Sequence, residues 1–368
     1  MKVLLIIDSL GSGGAQRQLV YLARELTKRG NVVDFFVYHA GGFFRPALDE
    51  YGITIHQIDK RYPIDPAPFF HLCRLWNRSY DVALAFLKMP SLYAELVNLL
   101  KVNHRIPLIV SERSISTGTG SIWSRLVRQA HRFATTVVAN SDTQAMWLSR
   151  NYPFLRGRLQ MIHNGVDLNK FYPNQNRIFM PPSRCRLLGI GRVSRVKNIP
   201  NLIRALGICI QQHAVDVHVS WIGKVESKKE MELAIEMLRE YQFSDRWTWL
   251  GERRDITEIM NSSDALILPS LWEGLPNVVC EAMACGLPVL CSSVSDLSQM
   301  VEDGVQGLLL DPIDPQQMAQ AIWRFASLNE QQRLAMGLSG RHYAEKELGL
   351  ERFVDQYEQL TSSVVRSH

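Results

Sequence analysis

Short apolar segments alternate with amphipathic helical segments along this whole chain, and the alternation restricts the folds that it can adopt. Apolar runs of about four to eight residues are typical of buried strands, and the intervals between them have helical periodicity. The clearest predicted helices are residues 15–29 and 229–241. The predicted strands are residues 2–7, 32–38, 53–58, 81–86, 107–111 and 136–140 in the first half and 186–190, 216–222, 247–250, 264–269 and 288–292 in the second. This order predicts an α/β fold with parallel sheets and crossover helices.

The length of the chain predicts two domains. A chain of 368 residues is too long for one ordinary domain and suits two α/β domains of roughly 180 residues each. Hydrophobic residues make up 46% of the chain, which is enough for a core in each half. We predict a Rossmann-like domain at residues 1–170, a proline-containing linker at 171–185, a second Rossmann-like domain at 186–350 and a terminal helix at 351–368.

Positive charge is concentrated in the first half. Residues 1–178 contain 22 Lys and Arg against 12 Asp and Glu, a net charge of +10, whereas 19 against 24 in the remainder give −5. Basic and apolar side chains of residues 121–133 are spaced as in a helix that lies on an anionic bilayer. An ordinary amphipathic helix with its apolar face in the core explains this spacing equally well. Nucleic-acid binding is the weaker explanation, because no recognisable nucleic-acid module accompanies the charge.

Neither the first residues nor the cysteines indicate export. Residues 1–8 contain five apolar residues before a carboxylate, which is shorter than a signal peptide and fits a first strand. No stretch approaches the roughly 18 apolar residues that a membrane helix requires. The six cysteines form no C-x-x-C pair and lie in apolar segments, so we expect reduced core cysteines in a cytoplasmic protein.

The segment 264–288 has the features of a ligand site at the end of a strand. The apolar run 264–269 precedes a turn with glycine, and Pro276 is placed to open a helix. Glu273 should lie on the loop between them, with Glu281 about 10 Å further along if most of the interval is helical. One carboxylate can bind a sugar and the other a ribose, with helix amides facing a diphosphate. Alternatively, a glutamate here only complements the helix dipole.

A second segment places two cations after another strand. In the sequence GIGRVSRVKN, which begins at residue 189, Arg192 and Lys197 follow the apolar run 185–189. Two cations on such a loop suit a doubly negative pyrophosphate, whose charge grows as the glycosidic bond breaks. Taken alone, the pattern is equally typical of a solvated turn.

Together the two segments resemble the retaining glycosyltransferases of the GT-B fold, specifically family 4. The stretch from Glu273 to Glu281 resembles that family's two glutamates separated by seven residues, and GRVSRVKN resembles its G-R-x-x-x-x-K-N element. The resemblance implies two Rossmann-like doubly wound domains that face each other across a cleft. It also implies that the terminal helix crosses back to the first domain.

The resemblance implies a role for individual residues. Arg192 and Lys197 would bind the donor diphosphate, Glu273 the transferred sugar and Glu281 the ribose. The residues expected to bind the donor are Gly13, Gly14, Arg192, Lys197, Glu273, Gly274, Leu275, Asn277 and Glu281; those expected in catalysis are Glu112, Arg192, Lys197 and Glu273; those expected to bind the acceptor are Arg17 and Arg113.

The glycine-rich loop after the first strand has three possible interpretations. Gly13 and Gly14 allow backbone amides to approach a phosphate or sugar, as in the family's glycine-rich first loop. A dinucleotide site is the second interpretation, with Asp34 as its ribose-binding acid, although Gln16 replaces the third glycine of G-x-G-x-x-G. The third is a purely structural turn.

The chain departs from the family at residues 111–113. Many family members have a histidine at the corresponding strand end, whereas this chain has Glu112 and Arg113. The carboxylate can accept a hydrogen bond from an acceptor hydroxyl, and the guanidinium can bind an acceptor phosphate. An ion pair between these two side chains that merely orders the loop is the alternative.

The resemblance implies transfer of a sugar from a nucleoside diphosphate sugar to a growing, lipid-linked glycan in cell-surface polysaccharide biosynthesis. Configuration would be retained, and the departing diphosphate would help to deprotonate the acceptor, so we expect no protein nucleophile, cofactor or obligatory metal. The expected partners are the donor, the glycan acceptor and the inner face of an anionic membrane, and no nucleic acid. A sugar-nucleotide epimerase, a phosphorylase and a catalytically silent nucleotide-sugar-binding subunit are the alternatives.

Overall fold

The chain forms two units in the computed structural model, which describes residues 1–60, 62, 65–77, 79–101, 105–113 and 122–367, with residues 122 and 123 described by their backbone alone. The first unit contains Met1–Gly165 and Leu350–His368, and the second contains Val166–Gly349. The chain therefore passes between the units twice.

The first unit is built on a seven-stranded sheet with the order β3-β2-β1-β4-β5-β6-β7, in which every pairing is parallel. Its strands are β1 (Lys2–Ile6), β2 (Val32–Val37), β3 (Thr54–Gln57), β4 (Val82–Phe86), β5 (Leu108–Glu112), β6 (Thr136–Ala139) and β7 (Leu159–Met161). Its helices are α1 (Gly14–Lys28), α2 (Arg45–Asp49), α3 (Ala67–Trp76), α4 (Lys88–Leu100), α5 (Ile122–Gln129), α6 (Asp142–Asn151) and, numbered last in chain order, α14 (Leu350–Arg366).

The central strands of the first sheet are buried on both faces. In β4 all five residues are buried, and Leu84 and Phe86 belong to one core cluster while Ala83 and Ala85 belong to another. Successive side chains of a strand point to opposite faces, so this division shows that apolar layers cover both sides of the sheet. α1 and α14 contribute to the cluster that contains Leu84. The terminal helix is thus part of the core of the first unit.

The second unit is built on a six-stranded parallel sheet with the order β10-β9-β8-β11-β12-β13. Its strands are β8 (Arg184–Ile190), β9 (Asp216–Ile222), β10 (Trp247–Gly251), β11 (Ala265–Leu268), β12 (Val289–Ser292) and β13 (Gly307–Leu310). Its helices are α7 (Ile199–His213), α8 (Lys228–Glu240), α9 (Ile256–Asn261), α10 (Asn277–Ala284), α11 (Leu297–Met300), α12 (Pro315–Ala326) and α13 (Glu330–Tyr343).

The order of strands reverses once in each sheet, and this reversal places the ligand sites. β1 lies between β2 and β4 in the first sheet, and β8 lies between β9 and β11 in the second. The connections that leave two such neighbours run in opposite directions, so they open a crevice at the carboxyl ends of the strands. The loops after β1 and β4, and those after β8 and β11, therefore border such crevices.

The α/β class and the strands predicted from the sequence are confirmed. Each predicted strand is present with ends that differ by at most about two residues, as expected for such assignments. The two strands that the sequence did not predict, β7 and β13, are at sheet edges. They have three and four residues, which is too short for a periodicity to be recognised.

The segment 171–185, predicted as a linker, lies within the second unit. Phe171 is 1% exposed in the core of that unit, and the amide of Met180 donates to Oδ1 of Asp264 at 3.1 Å. Nη1 of Arg333 donates to the carbonyl of Met180 at 2.8 Å. The prolines of this segment lie within residues 171–183, an ordered stretch without strand or helix, and residues 184 and 185 begin β8. The chain leaves the first unit earlier, after Gly165.

The helix predicted to lie on a membrane is α5, although Ser121 and the side chains of residues 122 and 123 lie outside the described residues. Val127 and Arg128 face inward at 3% and 2% exposure, while Leu126 is 57% exposed. The described part of α5 therefore packs as an ordinary amphipathic helix. Among the described residues, none of the helices has the length and hydrophobicity needed to span a bilayer.

Candidate functional site

The loops after β8 and β11 meet because these strands are neighbours in the second sheet. Lys197 follows β8, Glu273 follows β11, and Nζ of Lys197 donates to Oε1 of Glu273 at 2.6 Å. The two side chains are 15% and 14% exposed, so the pair is shielded but still accessible. The structure thus joins a cation and a carboxylate that are 76 residues apart in the sequence.

Backbone contacts hold these two loops against each other. The amide of Leu271 donates to the carbonyl of Val196 at 2.9 Å, which ties the β11 loop to the β8 loop. Nδ2 of Asn198, a buried residue with a left-handed φ of 56°, donates to the carbonyl of Pro269 at 3.0 Å. The lysine and glutamate therefore project from a fixed framework rather than from free loops.

Two glycines are needed for the path of the β8 loop. A Cβ on Gly191 would lie 2.4 Å from Cε of Lys197, so a larger residue would displace the lysine side chain. Gly223 has a φ of +148°, and its Cβ would lie 2.1 Å from the carbonyl oxygen of Gly191. The glycine of the family-like motif is thus explained by close packing around the lysine.

Arg192 lies on the same loop but makes a different contact. Its guanidinium pairs with the carboxylate of Glu226, on the segment after β9, and the two side chains are 61% and 44% exposed. Such exposed pairs contribute about 0–1 kcal/mol. A diphosphate could therefore replace Glu226 at little cost, and the role of Arg192 in donor binding stays a prediction.

The other predicted donor residues follow β11. α10 begins at Asn277, so only the second part of the interval from Glu273 to Glu281 is helical. Glu281 is 3% exposed, and Leu275 at 5% belongs to the apolar core, so its side chain is not presented to a ligand. Gly274 and Asn277 are half-buried in the loop and the first turn.

The glycine-rich loop after β1 is ordered by its own side chains. Nε2 of Gln16 donates to Oδ1 of Asp8 at 2.8 Å, and a Cβ on Gly13 would lie 2.1 Å from Oε1 of Gln16. Gly14 is the first residue of α1, and Arg17 is half-buried in its first turn. The close approach of Gln16 therefore explains why residue 13 is a glycine. Donor binding by Gly13 and Gly14 stays a prediction.

Asp34 does not occupy the position that a dinucleotide site requires. It lies in the middle of β2, is 8% exposed, and accepts a hydrogen bond from the hydroxyl of Tyr80 at 2.6 Å. A ribose-binding acid belongs at the carboxyl end of its strand. The structure therefore does not support the dinucleotide interpretation.

A cavity of ≈ 320 Å³ lies at the carboxyl ends of the strands of the first sheet. It is bordered by residues that follow or end β1, β2, β4 and β5. Its polar side chains are Asp8, Tyr38, His39, Lys88, Glu112 and Arg113. This mixture of cationic and carboxylate groups suits a polar ligand with an anionic group.

Glu112, at the end of β5, belongs to a buried cluster of charged side chains. Its Oε1 accepts from Nε of Arg128 at 3.0 Å and contacts Nε2 of His131 at 3.1 Å. Nδ1 of His131 contacts Oε1 of Glu95 at 2.6 Å. The carboxylate thus pairs with Arg128 and His131, which does not support the alternative of an ion pair between Glu112 and Arg113.

The cluster shifts the titration of its members. Burial alone would raise the pKa of Glu112, but the hydrogen bond and charge of His131 and those of Arg128 outweigh it and lower this pKa to about 2. Burial would lower the pKa of His131, but its contacts with Glu112 and Glu95 raise it to about 9. At neutral pH Glu112 is therefore an ionised hydrogen-bond acceptor and a poor general base.

Arg113 is held by the first unit itself. Its Nη1 donates to Oδ1 of Asn164 at 2.5 Å and its Nη2 to the hydroxyl of Tyr357, on α14, at 3.1 Å. The guanidinium lies 4.1 Å from the ring centroid of Phe86. It is thus a fixed cation at the cavity wall, as an acceptor-binding residue would have to be.

Sequence reasoning missed Glu95, Arg128, His131 and Lys88. The first lies in α4, and Arg128 and His131 lie in the region considered only for its surface charge. Nothing in the basic amphipathic pattern of this segment indicates that Arg128 is buried. One sequence signal was available. The end of β5 lacks the family's histidine, and the segment that follows contains another histidine, His131.

Two parallel α/β units with site residues at the points where their strand orders reverse define the GT-B class of glycosyltransferase fold. The family model described as Glycosyltransferase Family 4 matches residues 12–170, and the model described as Glycosyl transferases group 1 matches residues 184–327. The chain belongs to glycosyltransferase family 4, and the resemblance seen in the two motifs is confirmed.

Similar curated proteins include several named D-inositol 3-phosphate glycosyltransferase. The one from Thermobifida fusca is 28% identical, and the alignment covers 92% of this chain and 86% of that protein. The one from Nocardiopsis dassonvillei is 29% identical over 63% of this chain and 56% of its own length. The alignment with the protein from Paenarthrobacter aurescens covers 48% of that protein. This chain therefore spans about half the length of these two relatives.

Solved structures share the fold over the whole chain. HepE from Anabaena, in complex with UDP and glucose, has a TM-score of 0.85 at 21% identity, covering 99% of this chain and 100% of that one. The sucrose-phosphate synthase of Thermosynechococcus elongatus has a TM-score of 0.80 at 19% identity, covering 100% of each chain. At this level of identity, the likeness establishes the architecture.

Proposed function

We propose that this protein transfers a sugar from a nucleoside diphosphate sugar to a hydroxyl group of an acceptor. The observation that carries the proposal is the contact between Lys197 and Glu273 where the strand order of the second sheet reverses. A cation at this position can bind a diphosphate, and a carboxylate beside it can accept hydrogen bonds from sugar hydroxyls. Both groups also match the positions of the family's motif.

The proposed reaction retains the configuration of the transferred sugar. The bond from the anomeric carbon to the diphosphate oxygen breaks, and a bond to the acceptor oxygen forms on the same face. The acceptor proton passes to the departing diphosphate, which takes the electron pair of the broken bond. Lys197 and Arg192 would stabilise the charge that develops on the diphosphate, so the reaction needs no protein nucleophile.

The acceptor site that we propose is the cavity of the first unit. Glu112 would accept a hydrogen bond from the attacking hydroxyl, and Arg113 with Lys88 would attract an anionic group on the acceptor. Several relatives are named D-inositol 3-phosphate glycosyltransferase, a name that contains a phosphorylated polyol. A growing glycan linked to a lipid by phosphate combines the same two features, and it is the acceptor that we favour, in cell-surface polysaccharide biosynthesis.

Donor binding and turnover test this proposal without knowledge of the acceptor. Purified protein would be mixed with a panel of nucleoside diphosphate sugars, and thermal stabilisation and slow donor hydrolysis would be measured. A matching donor at 100 times its Kd stabilises the folded state by about 2.7 kcal/mol, which would give a readily measured shift in Tm. Hydrolysis should persist in EDTA, because cationic side chains rather than a divalent metal stabilise the diphosphate.

Three results of this panel would contradict the proposal. If no donor stabilises or is hydrolysed, the donor site is misassigned. If a donor binds but no transfer follows with either a phosphorylated polyol or a lipid-linked glycan, the silent binding subunit is the better interpretation. If EDTA abolishes hydrolysis and Mg²⁺ or Mn²⁺ restores it, a metal belongs to the mechanism.

We also propose that the protein acts in the cytoplasm, with the basic first unit at an anionic membrane surface. The support is the net charge of +10 in residues 1–178 and the exposed Arg125, Leu126 and Arg132 around α5. Cosedimentation with vesicles should rise with the fraction of anionic lipid and fall with salt. Replacing Arg125 and Arg132 with glutamate should weaken it several-fold, and equal binding to neutral and anionic vesicles would contradict this proposal.

A further inference from the structure

Four ionisable side chains from three segments are buried together beside the cavity of the first unit. Glu95 on α4, Glu112 at the end of β5, Arg128 on α5 and His131 in the turn after α5 are all between 0% and 3% exposed. Buried charges are costly unless they are paired, and removing one partner is strongly destabilising. A cluster of this kind at a cavity wall is therefore a candidate for more than packing.

We propose that Glu95, Arg128 and His131 are positioning residues, which hold Glu112 as a fixed, ionised hydrogen-bond acceptor for the hydroxyl that attacks the donor. The inference rests on the proposed function and names residues that act through Glu112 rather than on the substrate.

The geometry of the cluster favours this role. Arg128 and His131 both approach Oε1 of Glu112, at 3.0 and 3.1 Å, and Glu112 lines the cavity. Since both contacts converge on Oε1, they set the orientation of the carboxylate, and neither of them uses Oε2. The guanidinium of Arg128 is itself held, 4.9 Å from the ring centroid of Trp147.

The contacts of His131 depend on the protonation of its ring. Its two ring nitrogens each face a carboxylate, from Glu95 and from Glu112, so both nitrogens donate only when the ring is protonated. Burial raises the pKa of Glu95, and the hydrogen bond and charge of His131 oppose that rise, so an ionised Glu95 and a protonated His131 favour each other. Lys88 adds a further positive charge close to Arg128 and Glu112. Within the part of the chain that the structure describes, Glu112 and Glu95 are the charged groups that raise the pKa of His131.

Loss of the proton from His131 would change the site. If Nδ1 keeps its hydrogen for Glu95, Nε2 presents a lone pair to Oε1 of Glu112 at 3.1 Å. The repulsion would turn the carboxylate away or force it to bind a proton, and either change removes the acceptor for the attacking hydroxyl. Transfer should therefore have an alkaline limb near the pKa of His131, which its two partners raise to about 9.

The test is Glu95→Gln, which keeps the shape of the side chain but removes its charge. The alkaline limb of kcat/KM for the acceptor should move down by about one pH unit or more, because the imidazolium loses one of two stabilising charges. Activity near pH 6 should stay close to that of the unmodified protein. Glu112→Gln, in contrast, should lower kcat/KM about 10²-fold at every pH, since the acceptor itself is lost.

Asp34→Asn is the matched control. Asp34 is another buried carboxylate of the first unit, 8% exposed and bonded to Tyr80, but it lies away from the cavity lining. Its substitution should lower Tm and leave the alkaline limb where it is. If Glu95→Gln also lowers Tm without moving the limb, the cluster is structural only and the proposal is overturned.

Titration of His131 by NMR separates this inference from the proposed function. In the unmodified protein with its histidine rings isotopically labelled, His131 should carry protons on both nitrogens at pH 8, and Glu95→Gln should lower its midpoint. A neutral ring at pH 7 would overturn the inference even if transfer is demonstrated. Conversely, the expected titration in a protein that never hydrolyses a donor would count against the proposed function alone.

Discussion

Replacement of Lys197 with alanine is expected to lower kcat/KM for transfer by about 10²–10³-fold. This is the usual cost of removing one hydrogen-bond donor that stabilises developing charge in a site shielded from water. Lys197 is 15% exposed and bonded to Glu273, so its ammonium group is held in place before a donor arrives. The substitution also leaves the Glu273 carboxylate without its cation. That carboxylate would then repel the diphosphate, and donor binding should weaken as well.

Lys229→Ala supplies the control for loss of a lysine. Lys229 is exposed on α8 in the same unit, and its substitution should change neither kcat/KM nor Tm. Lys197→Ala should also keep its Tm within a few degrees, because the side chain lies on a loop and outside the core clusters. Activity within threefold of the unmodified protein would show that Lys197 does not bind the diphosphate.

A double variant separates the two consequences of this substitution. If Lys197 only neutralises Glu273, then Lys197→Ala combined with Glu273→Gln should recover donor binding, because no unpaired carboxylate remains. If Lys197 binds the diphosphate, the double variant should stay as weak as Lys197→Ala. Because Glu273 would also bind the transferred sugar, isothermal calorimetry is done with the nucleoside diphosphate of the donor found in the panel, which lacks that sugar, and we expect the second result.

The sequence was sufficient to locate the two loops that carry Lys197 and Glu273, because their features are local. An apolar run followed by glycine and a cation, or by glycine and a proline that opens a helix, indicates a strand end and a helix start whatever the rest of the chain does. That Lys197 and Glu273 touch depends instead on β8 being next to β11. The doubly wound strand order makes β8 and β11 neighbours, and the motifs indicated that order only through the family resemblance.

The buried surroundings of Glu112, where we propose that the acceptor binds, could not be predicted in the same way. Arg128 follows the pattern of a basic surface helix, yet it is 2% exposed because Glu112 and the ring of Trp147 surround its guanidinium. The partners of Glu112 are 16 and 19 residues away, and Glu95 is 36 residues from His131. Such pairings depend on how α4 and α5 pack, and composition and periodicity do not specify that packing.

The linker prediction failed for a related reason. Prolines and asparagines at residues 171–185 are typical of a segment without regular structure, and this is correct for residues 171–183, since β8 begins at residue 184. Composition does not show whether such a segment is free or packed. Here Phe171 enters the core, and Met180 is bonded to both Asp264 and Arg333. A buried carboxylate thus orders a stretch that has no strand or helix of its own.

Asp264 is therefore expected to be a major determinant of the stability of the second unit. It is 0% exposed, and its carboxylate accepts from the amide of Met180 and from both the amide and the guanidinium of Arg186, the latter through Oδ1 at 2.8 Å. Asp264→Asn keeps the volume but places an amide group where one oxygen accepted hydrogen bonds. At least one donor then loses its partner, and the guanidinium of Arg186, which is 38% exposed, loses its counter-ion but keeps its bond to the carbonyl of Ile178. Loss of hydrogen bonds to a buried charge costs about 3 kcal/mol.

That cost corresponds to a decrease in Tm of about 6–12 °C for a unit of this size. Calorimetry would measure it, with Glu345→Gln as the control, because Glu345 is 50% exposed and its pair with Arg341 is of the weak surface kind. Limited proteolysis should also cut Asp264→Asn faster within 171–183, since the amide of Met180 is one of the groups that loses its acceptor. An unchanged Tm and cleavage rate would mean that the segment is ordered by Phe171 and Arg333 alone, and the buried carboxylate would then only compensate for the charge of Arg186.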